Sequence, residues 1–177
     1  MTERAIWVVV LVALAALAVY GMRRGWVNRA RRQEAQLPQF PQVPDGVDDE
    51  AELLAGTTGL YVGTTMGGDW QDRVVVGDVG QRAEASAHLR RSGMLLERTG
   101  ASPLWIPTEQ LLRVRVDHKL ANKVVPGGGM LVVTWQLGEH SLDTGFRGDD
   151  RARQNEWADA VRALVPTGPS DRDEEQA

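Results

Sequence analysis

Eighteen consecutive positions, Ala5 to Met22, carry no charge, and apolar residues fall on every face a helix would present. That stretch predicts a helix about 27 Å long, close to the hydrocarbon thickness of a bilayer. Trp7 and Tyr20 stand near its ends, where amphipathic rings settle at headgroup level. A helix lying on a membrane surface would need one polar face, and this pattern has none. A cleaved signal peptide is the rival reading, because Ala13-Leu14-Ala15 and Ala16-Leu17-Ala18 both resemble small-residue cleavage sites.

From about Gly56 the period changes from that of a helix to that of strands. Leu60, Val62 and Thr64 alternate with Tyr61 and Gly63, and Arg73–Val76 is a β-branched run ending at Gly77-Asp78. Ala83, Ala85, Ala87 and Leu89 alternate with polar residues, a pattern that also admits a short helix. Met94–Arg98 and Leu104–Ile106 are short apolar runs bounded by glycine and proline. In the next run Leu112, Val114 and Val116 are expected to face one way, with Arg113 and Arg115 opposite. Pro126-Gly127-Gly128-Gly129 predicts a turn before Leu131, Val133, Trp135 and Leu137, which share one face. Gly138-Glu139 predicts a hairpin turn into His140–Phe146. One helix closes the series. Asp149 or Asp150 can cap it, Trp157, Val161 and Leu164 form its stripe, and Pro166 and Gly168 stop it. The expected fold is α+β, mainly β: a transmembrane helix, then an antiparallel barrel of about seven strands capped by one C-terminal α-helix.

Charge refines this picture. Arg23, Arg24, Arg29, Arg31 and Arg32 follow the apolar run directly, whereas only Arg4, beside Glu3, precedes it. Such arginines resist translocation, which argues against secretion and places the N-terminus outside and the rest in the cytoplasm. Near an anionic leaflet each gains on the order of 1 kcal/mol. Residues 33–54 carry six acids and three prolines, Pro38, Pro41 and Pro44, and read as an extended, solvated tether. Residues 55–165 hold thirteen acidic and thirteen basic side chains, so their net charge is zero. The expected organisation is a tail (1–4), a span (5–22), a basic juxtamembrane segment and linker (23–54), a domain (55–165) and an acidic disordered tail (166–177). A neutral domain argues against a general nucleic-acid binder, and one span with no internal charge offers no pathway for a polar solute.

The chemical inventory is thin. The chain of 177 residues has no cysteine, which excludes thiolate metal sites and cysteine nucleophiles. His88, His118 and His140 lack the spacing of a helical metal site. No nucleophile elbow, Walker loop or dinucleotide fingerprint occurs. Catalytic, metal and cofactor-binding residues are therefore assigned to none, and no small-molecule substrate is evident. Arg90-Arg91 and Arg113/Arg115 read by default as a solvated strand face, with an anion or partner patch as the alternative.

About seven strands, the proline-flanked Pro103-Leu104-Trp105-Ile106-Pro107 segment and a helix centred on Trp157 resemble a pleckstrin-homology-like (PH-like) domain. The resemblance implies that Trp157 packs into the barrel mouth. The whole arrangement is similar to actinobacterial single-pass membrane proteins of unknown function, some labelled transporter or export proteins. Lipid-binding members of the family carry a basic cluster at the first hairpin. Here Thr64–Arg73 offers only Arg73 against Asp69 and Asp72, so inositol-lipid recognition is not expected. The function expected is a non-catalytic, membrane-tethered module that binds a protein or peptide at the cytoplasmic face. The alternatives are an anionic-lipid sensor, working through the five arginines, and an accessory subunit of a transport or export system.

Overall fold

The computed structural model describes residues 2–121, 123–124 and 129–166. Its first element, α1 (Thr2–Gln36), is one unbroken helix of 35 residues. Alanine, glutamine and arginine sustain it beyond the apolar run, and it ends where Pro38 disfavours helical geometry at Leu37. The juxtamembrane arginines thus lie on the same helix as the apolar run. Within α1, Ile6–Gly25 is exposed, and it is long and apolar enough to cross a membrane.

Nine strands follow: β1 (Leu54–Met66), β2 (Ala83–Leu89), β3 (Gly93–Arg98), β4 (Leu104–Pro107), β5 (Leu111–Asp117), β6 (Lys119–Leu120), β7 (Lys123–Val124), β8 (Met130–Leu137) and β9 (His140–Gly148). Seven of them form one antiparallel sheet in the order β4-β3-β2-β1-β9-β8-β5. Side chains from all seven, including Tyr61, Leu89, Met94, Ile106, Leu111, Trp135 and Phe146, meet in one buried cluster. The sheet therefore wraps around its core. It does not close by hydrogen bonds, because β4 and β5 are its two ends. The expected barrel is an open one.

The period-2 patterns translate directly in β2 and β8. Ala85, Ala87 and Leu89 face the core, as do Leu131, Val133, Trp135 and Leu137. Between β8 and β9, Gly138 has φ 60 and Glu139 does not take a positive φ, as a two-residue turn with glycine first requires. Two expectations fail. Arg73–Val76 is not a strand: only Arg73 bridges Thr65, and Val74 buries itself in a long β1–β2 loop. In β5 the face changes, since Leu111 pairs with Trp135 but Arg113 with the adjacent Thr134. Leu112 is the extra residue of this bulge. Leu111 and Val114 point inward instead, while Leu112 and Val116 are 47% and 38% exposed.

The short β6–β7 hairpin folds over the outer face, where Leu120 and Ala121 bury Val62, Met130 and Val132. Gly145 permits this, because a Cβ there would collide with Leu120 Cδ2. The turn expected at 126–129 lies largely outside the described residues, as does the tail beyond Pro166.

The stretch read as a free tether packs on the domain. Leu37 joins the main core, and the Phe40 ring lies 6.1 Å from that of Trp135. Val43 and Val47 cover Leu95 and Trp105 on the outside of β3 and β4. At the other terminus α2 (Gln154–Leu164) lies on β5 and β8. Asp150 caps the short 3-10 turn before it, accepting from the Ala152 N–H. Trp157, Ala158 and Val161 are buried in the main core, with Leu164 packed against it.

Candidate functional site

The β1–β2 loop is where the family resemblance would seat a phosphorylated ligand. Its cation, Arg73, is spent on the fold. One guanidinium nitrogen donates to the Gly80 carbonyl at 2.9 Å and another to the Ala121 carbonyl at 3.0 Å. These bonds tie the loop to the β6–β7 hairpin. Asp69, exposed, accepts from the Gln71 N–H two residues on. Convergent donors, which a polyphosphate requires, are thus not built here.

Behind the loop lies a buried polar chain that charge patterning did not reveal. Arg98, 1% exposed, sits 4.8 Å over the Tyr61 ring, pairs with Asp78 and donates to the Ser102 carbonyl. Burial alone would raise the Asp78 pKa, but the Ser102 N–H and the Arg98 guanidinium outweigh it and hold the carboxyl below its ordinary value. Tyr61 donates to the Val79 carbonyl. Its only hydrogen is then used, so Thr64 must donate to Tyr61 and Thr144 to Thr64, each at 2.8 Å. Trp135 completes the line by donating to Thr144 at 2.9 Å. Burial pushes the Tyr61 phenol up to about 12. Every group in this line has a structural partner among the described residues.

The remaining candidates resolve similarly. Arg115 donates to both carboxylate oxygens of buried Asp143, at 2.9 and 3.3 Å, and also reaches Asp117. Asp143 in turn accepts from Thr134 at 2.6 Å. Arg90 holds Asp48 and the Glu50 carbonyl. Arg91 and Arg113 are exposed and on separate strands or loops. His88 lies between two carboxylates, 2.6 Å from Glu52 and 3.3 Å from Glu97. Its hydrogen bond lowers the Glu52 pKa. A groove of about 450 Å³ on the outer face of β1, β2 and β9 is lined by Arg82 and Arg147 against Glu84 and Asp149. Two charges of each sign leave it without the net positive field that an anion would need.

What stays open is an edge. β5 ends the sheet, so one side of its backbone has no strand partner among the described residues. Leu112, Arg113 and Val116 are exposed along it, and α2 packs beside it. Trp157 and Val161 position that helix, with Leu164 partly exposed at its end. Along α1, Arg23 and Arg24 close the apolar run, while Arg29, Arg31 and Arg32 stand about 9–14 Å further along the axis. The structure therefore spreads the five arginines along a helical stalk.

Sequence reasoning missed the packed segment before β1. A signal was present: Gln36-Leu37-Pro38, Gln39-Phe40-Pro41 and Gln42-Val43-Pro44 repeat one tripeptide, glutamine–apolar–proline.

A family model described as Bacterial PH domain-like matches residues 37–162. No curated protein matches the chain.

Proposed function

The chain belongs to the bacterial PH domain-like family, and from that premise we propose a non-catalytic interaction module that binds a protein or peptide partner. We take α1 as its membrane anchor and the cytoplasmic face as its place of work. The binding domain then starts at Leu37, where the family match begins. The observation that carries the reading is the free edge of β5, with Leu112 and Val116 exposed beside α2. An extended peptide pairing there gains main-chain hydrogen bonds, and alternate side chains supply its specificity. The orientation rests on Arg23, Arg24, Arg29, Arg31 and Arg32 following the apolar run, against Arg4 alone before it.

Affinity capture on the full chain in lipid nanodiscs tests this. A partner recovered by the native protein is expected to be lost from a Leu112→Lys/Val116→Lys variant that melts like it. Recovery of the same proteins by both chains would refute the β5 site.

The five arginines favour a second reading, an anionic-lipid sensor. On that reading, residues 23–177, which lack most of the apolar run, should float with vesicles in proportion to their anionic content, and replacing the arginines should abolish the trend. An accessory role in a transport or export system would be one use of the same partner site.

A further inference from the structure

The segment between α1 and β1 has a periodicity that fits neither helix nor strand. Leu37, Phe40 and Val43 recur every third residue, each followed by a proline. Three residues per turn is the period of the polyproline II helix, so these apolar side chains fall on one side of it. The burial follows the same period. Leu37 is buried and Phe40 and Val43 half-buried, while Gln39 and Gln42 are exposed. Their side of the segment meets two tryptophans: Phe40 lies against Trp135, and Val43 with Val47 lies over Trp105 and Leu95. The Pro38 ring sits on the β8–β9 turn, so close that a Cβ at Gly138 would stand 2.6 Å from it.

The backbone of the segment contributes little to its attachment. The N–H groups of Val47, Asp49 and Glu50 bond to carbonyls of the segment itself. The chain enters the sheet ladder at Leu53, whose N–H reaches the Leu89 carbonyl at 2.8 Å. Side chains do the fastening: Arg90 on Asp48, Ser92 on Glu50 at 2.9 Å, and His88 on Glu52. A segment held this way can leave without breaking any sheet hydrogen bond.

We infer that the tryptophan-lined surface running from the β8–β9 turn to the outer face of β3 and β4 is a binding groove for proline-rich extended chains. Its ligand carries an apolar residue before each proline at three-residue spacing. The protein's own Leu37–Pro44 is its resident occupant, displaceable by a chain of the same class. Extended proline-rich segments suit aromatic grooves because they are ordered before they bind. This groove is separate from the β5 edge, and the inference stands or falls independently of that site.

The test uses the full chain in detergent micelles and a fluorescent peptide copying residues 36–48. Phe40→Ser/Val43→Ser/Val47→Ser empties the groove. That variant is expected to bind the peptide about tenfold more tightly than the native chain, because resident occupancy lowers the competent fraction. A peptide with serine at positions 37, 40 and 43 should bind neither. Equal binding to both chains, or none to a variant with native circular dichroism and a cooperative melt, would overturn the inference. If the variant does not fold, native-state hydrogen exchange of the unaltered chain decides. Opening of Gln39–Glu50 ahead of β1–β3 supports displacement, and exchange of that segment only with global unfolding refutes it.

Discussion

Tyr61 concentrates what single residues contribute. Its hydroxyl ends the hydrogen-bond line from Trp135 through Thr144 and Thr64, and burial holds it protonated up to about 12 against an ordinary 10.0. Folded protein therefore keeps a proton that the unfolded chain releases above pH 10. The stabilisation is complete below pH 10 and drains away as pH climbs toward 12. In Tyr61→Phe that alkaline decline should flatten, while stability at pH 8 drops by about 1–2 kcal/mol because Thr64 and Val79 lose a partner. Urea unfolding of both chains at pH 8 and between pH 10 and 11.5 checks it, and parallel alkaline slopes would refute it. Arg98 and Arg115 teach the complementary lesson. Read along the chain, Arg115 belongs to a solvated strand face and Arg98 merely ends an apolar run, since isolated charge seldom enters a core. Only the fold brings Asp78 and Asp143 to meet them.

Among the elements, α2 and β8 were legible because their apolar residues keep the periods of helix and strand, whereas the alternation in β2 also admitted a short helix. The β8–β9 turn was legible because Gly138 supplies the conformation it needs. β5 was not, since one inserted residue at Leu112 moves the inward face to Leu111 and Val114. The Leu37–Pro44 segment escaped for a different reason: its period of three matches neither template, and its prolines, followed by the acids from Asp45 onward, pass for a solvated spacer. Of the candidate site, the run of five arginines stands in the sequence, but its place on the continuation of α1 needed the structure. The free β5 edge needed the strand order. Gly138 links two of these elements. Gly138→Ala forces an alanine into φ 60 and drives its Cβ into Pro38. The expected loss is about 1–2 kcal/mol by thermal or urea unfolding, with faster hydrogen exchange in Gln39–Glu50. A native exchange pattern there would separate turn from segment and refute the contact.

At the scale of the molecule, the proposed anchor makes its own prediction. Ile6–Gly25 covers 20 residues, about 30 Å of helix. Full-length protein should sediment with membranes and stay there through alkaline carbonate and high salt, whereas a C-terminal reporter should register the cytoplasm. Release by carbonate, or a periplasmic signal, would undo the placement. With α1 set in a bilayer as proposed, its continuity to Gln36 has a mechanical consequence. Leu37 is already inside the domain, so while Leu37–Pro44 stays seated the 11 residues after Gly25 form a helical spoke of about 16 Å. In that seated state the spoke sets the height of the domain above the lipid. Twist applied to the anchor arrives at the far end as torque on Leu37 and Phe40, the two side chains nearest the hub.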